Sequence, residues 1–178
     1  MSIKEAMTQY FSMRREMADG GLDFLCKTPF IGDVHSLIYV GDLDEEGYIS
    51  WKPVEKKDFY DFKELEGDLG CKIHPSVIEY FNSYWFTDLE GFIKDYTINL
   101  ESVLPNTYIE SYSNLVRGYM SNHKNRLENI PLGVEGDGLI VVVDNEDGSV
   151  KLEDFETGSF EVISESVERL ISALRLKR

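Results

Sequence analysis

The sequence of 178 residues has few basic residues for its acidic content, and this shortage excludes several classes of protein. Lysine and arginine together number 18 against 33 aspartate and glutamate residues, which gives a formal charge of −15 at pH 7. Such a surface repels phosphate backbones and anionic lipid headgroups across a Debye length of roughly 10 Å. We therefore expect no nucleic-acid binding and no direct lipid binding, and we expect a basic protein partner instead.

Cysteines and long apolar runs are also scarce. The two cysteines, Cys26 and Cys71, are too few for a disulfide framework and have no second pair to complete a zinc site. No segment approaches the ~20 apolar residues that cross a bilayer. The first residues form an acidic, amphipathic pattern and lack the basic start and apolar core of a signal peptide. These features predict a cytoplasmic protein with reduced thiols.

Apolar residues recur at helical spacing in four parts of the chain. The patterns predict a helix over 3–18, a short helix that begins at Pro75, a longer helix after Pro105, and a final helix capped by Ser164. The charged segment 54–72 lacks a clear period. It is predicted to be a loop with no more than a turn of helix.

Strand patterns lie between the predicted helices. Residues 37–40 and 48–51 predict a hairpin around an acidic turn, and residues 84–100 predict one or two strands. The Val/Ile run within 138–143 predicts a central strand buried on both faces, and an Asp-Gly turn then reverses the chain into a partner strand. This order of elements predicts an α+β fold, in which helices pack on a mainly antiparallel sheet, as one domain over 1–178.

The acidic turn that begins at Asp42 resembles a calcium-binding loop. It matches the first nine positions of an EF-hand, including the glycine at position six, Gly47. However, Pro53 occupies position twelve, where a bidentate glutamate is needed, and the flanks are strand-like. We therefore expect no metal site here. Calorimetry with calcium should show no saturable micromolar binding heat, and a heat that disappears in Asp44→Ala would contradict this prediction.

Patterns typical of catalysis are also missing. The three histidines, His35, His74 and His123, are far apart in sequence and none has the i, i+4 partner of a zinc helix. No Gly-x-Ser-x-Gly sequence occurs, and the glycine-rich stretch 133–138 lacks the phosphate-binding pattern and precedes a strand. We therefore expect no catalytic residues and no cofactor.

The carboxylates gather in clusters with few cations among them. Such clusters cost stability through repulsion, and a basic partner relieves this repulsion and associates faster through electrostatic steering. We therefore predict one partner-binding face built from the acidic hairpin turn and the segment around residue 90. The seven residues predicted for this face are Asp42, Asp44, Glu45, Glu46, Asp88, Glu90 and Asp95. The simpler alternative is that these carboxylates only keep the protein soluble.

Four strings of sequence, taken in order, resemble the Syd family of SecY-interacting proteins within the SUKH superfamily. They are the Trp-x-Pro string in 48–53, the helix start in 73–81, the Asn-Leu string in 114–120 and the Asn-x-x-Gly-x-Val turn in 143–150. The resemblance implies an α+β domain that has no catalytic residues and binds protein partners.

The resemblance implies two possible partners. Many members of the superfamily are similar to immunity proteins that block a polymorphic toxin, often a basic nuclease, and the charge of −15 suits such a target. Residues 99–104 differ from the Leu-Leu-Gln-x-Trp-Ser string of members that bind the translocon. Our first interpretation is therefore an immunity protein that neutralises a basic toxin. The alternative is a Syd-like protein that binds the basic cytoplasmic loops of SecY.

Overall fold

The structure is a computed structural model that describes residues 1–32 and 35–177. The helices within these residues are α1 (Ile3–Asp19), α2 (Lys63–Leu69), α3 (Pro75–Phe81), α4 (Tyr108–Asn122) and α5 (Val167–Ala173). The strands are β1 (Lys27–Pro29), β2 (Tyr39–Val40), β3 (Tyr48–Trp51), β4 (Val54–Glu55), β5 (Tyr84–Trp85), β6 (Leu89–Ile93), β7 (Tyr96–Leu100), β8 (Asn129–Glu135), β9 (Ile140–Asp144), β10 (Val150–Asp154) and β11 (Ser159–Ser164). A 3-10 turn, Asp23–Cys26, precedes β1.

The first helix begins at a capping box. The Ser2 hydroxyl accepts a hydrogen bond from the Glu5 amide at 3.1 Å, and the Glu5 carboxylate accepts one from the Ser2 amide at 2.7 Å. One face of α1 is buried, and this helix packs against α3 and α5. The helices predicted over 3–18 and from Pro75 are confirmed.

Six strands form one antiparallel sheet in the order β11-β10-β9-β8-β7-β6. Val141, Val142 and Val143 of β9 are fully buried, which confirms a central strand covered on both faces. Helix α4 packs on β8. The predicted α+β class, with a mainly antiparallel sheet and helices packed on it, is therefore confirmed.

The six-stranded sheet is strongly curled. The Tyr96 hydroxyl of β7 donates a hydrogen bond of 2.6 Å to Glu161 of β11, although three strands lie between them. Four strand spacings would separate these strands by roughly 19 Å in a flat sheet. After α5 the chain returns to the other edge of the sheet, where Arg175 forms a two-way backbone bridge with Phe92 of β6.

A separate three-stranded sheet, in the order β1-β3-β2, contains the predicted hairpin. Tyr39 pairs with Trp51 and Val40 pairs with Ser50, so the hairpin between 37–40 and 48–51 is confirmed. The strand β1, which was not predicted, pairs with β3 along the edge opposite to β2.

The prediction of a loop over 54–72 is wrong for much of this segment. It contains the strand β4 and the seven-residue helix α2, which buries Leu65 and Leu69. The helix ends at Gly70, whose φ of 71° is left-handed, and the Glu66 carboxylate accepts a hydrogen bond from the Ile73 amide at 3.0 Å. Only two buried leucines four residues apart mark this helix, which is too short a pattern to show a period.

Two further predictions of elements need correction. The segment 84–100 contains three strands, because β5 pairs with β4 outside the large sheet. Ser164 does not cap the final helix but ends β11, and the cap is Ser166, whose hydroxyl accepts a hydrogen bond from the Arg169 amide at 3.4 Å. The sequence did not reveal β11 because four successive residues of this edge strand are exposed.

Candidate protein-binding surface

The acidic hairpin turn between β2 and β3 is held by one of its own carboxylates. Asp44 accepts hydrogen bonds from the amides of Glu46 at 3.0 Å and Tyr48 at 2.8 Å, and it lies 3.7 Å from the Lys27 ammonium. The bond from the Tyr48 amide, then that from Glu46 and the charge of Lys27, lower the pKa of Asp44. This carboxylate is therefore committed to the turn.

The other three predicted carboxylates of the turn remain available. Asp42, Glu45 and Glu46 are exposed, and their side chains form no ion pair or hydrogen bond with any residue that the structure describes. We call these three residues the acidic tip. Apolar residues that flank the acidic tip in sequence are also exposed; they are Val40 of β2, Leu43 of the turn and Tyr48 of β3. Exposed apolar groups beside unpaired charges are typical of a surface that binds protein.

The carboxylates of Asp88 and Glu90, unlike those of the acidic tip, lie beside a buried arginine. The Arg14 guanidinium of α1 is 3.7 Å from the Glu90 carboxylate and 4.0 Å from that of Asp88. It also donates hydrogen bonds to the Leu25 carbonyl at 2.6 Å and the Tyr10 hydroxyl at 2.9 Å. Only 3 % of Arg14 is exposed, so these carboxylates compensate an internal cation.

The 3-10 turn before β1 connects the two predicted acidic groups. Its residue Leu25 contacts Arg14 and thereby the pair Asp88 and Glu90, and Lys27 directly after it approaches Asp44. Asp95 lies apart, in the turn between β6 and β7, and lines a surface cavity with Arg175 and Lys177. Sequence reasoning missed Arg14, although its helical spacing from Tyr10 and Ala18 places it within the buried stripe of α1.

A second group of polar side chains lies between α4 and β10. Glu153 is 2 % exposed and accepts hydrogen bonds from the Tyr119 hydroxyl, at 2.6 Å, and from Nε2 of His123. Nδ1 of His123 donates to the Tyr119 carbonyl at 2.6 Å. Because both ring nitrogens donate, the arrangement is that of a charged imidazolium paired with a buried carboxylate.

The environment of His123 shifts its titration. Burial disfavours the charged ring, but the hydrogen bond to Glu153, the bond to the Tyr119 carbonyl and the negative charge of Glu153 together raise the pKa of His123. The Tyr119 ring stacks on the imidazole at 3.8 Å between centroids. This polar group therefore stabilises the contact between α4 and the sheet.

Residues 1–32 and 35–177 contain neither a metal-binding cluster nor a membrane-spanning helix. No group of three or more His, Cys, Asp or Glu side chains in this part of the chain could hold a metal ion. None of the helices found there combines the length and apolar composition needed to cross a membrane.

Comparison with known proteins identifies the family. A family model described as "Syd protein (SUKH-2)" matches residues 3–175. The relative named Protein Syd of Idiomarina loihiensis is 29% identical over 145 residues, which cover 79% of this chain and 78% of the relative. Protein Syd of Hahella chejuensis is 31% identical over 118 residues, covering 65% and 62%. Protein Syd of Pseudoalteromonas atlantica is 25% identical over 160 residues, covering 85% and 82%. Because the family model spans nearly the whole sequence, the chain belongs to the Syd (SUKH-2) family.

Proposed function

We propose that the protein binds the basic cytoplasmic loops of the SecY translocon, without catalysing a reaction, and that the acidic tip provides the first contact. The observation that carries this proposal is the group Asp42, Glu45 and Glu46, three exposed carboxylates that form no ion pair with the residues the structure describes, beside exposed apolar side chains. Membership of a family of binding proteins supports it. The protein would then act in the cytoplasm and reach the membrane through its partner.

Charge complementarity explains why such loops suit this surface. Loops of membrane proteins on the cytoplasmic side carry an excess of lysine and arginine. A binder with a net charge of −15 is attracted to them over about a Debye length, so that encounters become more frequent before any contact forms. The electrostatic attraction is strongest near carboxylates that pair with no cation of the protein itself.

The immunity interpretation is the second candidate. The SUKH-2 designation of the family model and the negative charge support it, since a basic nuclease is an equally suitable electrostatic partner. The relatives compared above are all named Protein Syd, and this favours the SecY interpretation. Co-purification separates the two. Retention on membranes that contain SecY supports the first, whereas a soluble toxin whose activity the protein blocks supports the second.

The test of the acidic tip is the triple variant Asp42→Asn, Glu45→Gln and Glu46→Gln. Asp44 is kept because it holds the turn. We expect association with purified SecY in nanodiscs to slow about tenfold at low salt, since steering depends on these charges. The salt dependence of the association rate should flatten. The unfolding midpoint should remain unchanged, because exposed charges contribute little to stability.

The matched control neutralises three exposed carboxylates in other turns, with Asp137→Asn, Glu146→Gln and Glu156→Gln. It changes the net charge by the same amount. Association of this control should remain close to that of the parent. If both triple variants slow association equally, net charge alone is responsible and the acidic tip is not the docking surface. If neither variant slows it, steering by these carboxylates is rejected.

A further inference from the structure

An apolar groove lies on the side of the sheet that α4 covers only in part. Leu115 of α4, Val134 of β8 and Phe155 after β10 line it, and these three side chains are 37%, 52% and 55% exposed. Gly118 leaves space in the helical wall, since no atom lies within 4 Å of the Cβ it lacks. The groove has a volume of about 470 Å³, which is ample for a long side chain.

One carboxyl group in this groove, that of Glu101, pairs with no side chain among the described residues. The backbone of Glu101 is fixed, because its amide donates to the Leu132 carbonyl at 2.9 Å and its carbonyl accepts from the Tyr80 hydroxyl at 2.6 Å. Its side chain, which is partly buried, forms no hydrogen bond or ion pair with the residues that the structure describes. Burial raises the pKa of Glu101.

His123 also lines the groove and can carry a positive charge, but it is already engaged. His123 donates to Glu153 and to the Tyr119 carbonyl, so it cannot neutralise Glu101 without breaking those bonds. A carboxylate that is partly removed from water and lacks a cation is unfavourable in the free protein. A cation brought by a ligand would remove this cost.

We propose that this groove binds a lysine or arginine side chain that a protein partner presents on an apolar segment. The apolar walls would cover the aliphatic part of the side chain, and the Glu101 carboxylate would pair with its charged end. The groove would be a second contact surface in addition to the acidic tip. This proposal rests on the proposed function only because both require a basic protein partner.

A second copy of this chain suits the groove less well. Each copy carries a net charge of −15, so self-association would bring two strongly negative molecules together. A basic partner meets no such repulsion. The acidic tip would act on the rate of encounter, whereas a buried ion pair in the groove would act mainly on the lifetime of the complex.

The probes are three acetylated and amidated pentapeptides, Leu-Ala-Lys-Ala-Leu and its counterparts with norleucine or glutamate in the centre. Norleucine keeps the aliphatic stem and removes the charge. NMR titration of the full chain should show shifts at the amides of Leu115, Gly118 and Val134. We expect the lysine peptide to bind about tenfold more tightly than the norleucine peptide, as a charge-assisted contact provides. Saturation with it should lower the pKa of Glu101.

The variant Glu101→Gln keeps the size of the side chain and should abolish the preference, so that the lysine and norleucine peptides bind about equally. The matched control is Glu110→Gln, which removes an exposed carboxylate of α4 outside this groove and should leave the preference intact. Equal binding of the lysine and norleucine peptides to the parent chain would overturn the proposal, and so would shifts confined to the acidic tip. An equal effect of the two glutamine variants would also overturn it.

The acidic tip variant separates this proposal from the proposed function. It should keep the preference for the lysine peptide, since the tip lies outside the groove. If that variant retains the preference and also binds SecY as fast as the parent, the docking role of the tip fails while the groove proposal stands. If the parent binds SecY as proposed but shows no lysine preference, the groove proposal fails alone.

Discussion

Gly133→Ala is expected to lower the free energy of unfolding by about 3 kcal/mol, at the upper end of the cost of overpacking a core. A Cβ at this position would lie 2.3 Å from the Asn99 carbonyl oxygen and 2.9 Å from Cα of Leu100. Both atoms belong to the backbone of β7, which pairs with β8 at this point. No side chain can rotate to relieve the clash, so the two strands must separate.

Chemical denaturation of the parent and the variant measures this effect. The matched control is Gly67→Ala in α2, where a Cβ would meet no atom within 4 Å. Alanine favours a helix over glycine, so we expect this control to gain about 0.5–1 kcal/mol. A loss smaller than about 1 kcal/mol in Gly133→Ala would mean that β7 and β8 adjust easily, contrary to the overpacking argument.

Position 133 shows how far the sequence alone could predict this fold. A glycine within a strand pattern indicates close approach of another backbone, but it does not identify which one. Here the neighbour is β7, and a shift of register between Pro131 and Gly133 brings the strands into this position. No strand was predicted from the sequence over 129–135, so neither β8 nor the close contact of this glycine with β7 was foreseen.

The same distinction applies to helices and to the edge of the sheet. Elements with a local cause were predictable, such as the helix that starts at Pro75 and the β9 strand of consecutive valines. The strand β11 was not, because four successive residues are exposed, so both faces of the strand are open to solvent there and the alternation of burial is lost. The bond between Tyr96 and Glu161 depends on the curl of the whole sheet, which no local pattern contains.

The sequence predicted the chemistry of a candidate binding surface but not which carboxylates lie together on it. The sequence indicated a basic partner and located the acidic tip, but it grouped Asp88 and Glu90 with the tip although they lie beside Arg14. Glu101 resembles any other member of a set of 33 acidic residues. Its burial without a cation depends on where α4 lies over the sheet, and this information is absent from spacing and composition.

His123→Ala is expected to lower the free energy of unfolding by about 2 kcal/mol at pH 5.5, because it leaves the buried Glu153 carboxylate without its cation. We expect less than the cost for a fully buried pair, since the His123 side chain is 21% exposed. The Tyr119 hydroxyl remains as a hydrogen-bond donor to the carboxylate. Chemical denaturation of the parent and the variant at matched pH values measures the difference.

The difference between the parent and His123→Ala should depend on pH in a defined direction. The pKa of His123 is raised in the folded protein, so the folded state binds the proton more tightly than the unfolded state. The stabilisation from the charged ring is therefore fully present below about pH 6.5, the unfolded value, and is lost as the pH rises through the folded pKa. We expect the difference at pH 8.5 to be clearly smaller than at pH 5.5.

Glu153→Gln isolates the carboxylate as the cause of this pH dependence. The amide can still meet Tyr119 and His123, but it carries no charge to favour the imidazolium. NMR titration of the His123 ring should then give a pKa below that in the parent, and the stability of Glu153→Gln should vary less between pH 5.5 and 8.5. If the ring titrates alike in both proteins, Glu153 does not hold the charge of His123. The link between α4 and β10 would then depend on ring stacking with Tyr119 rather than on the ion pair.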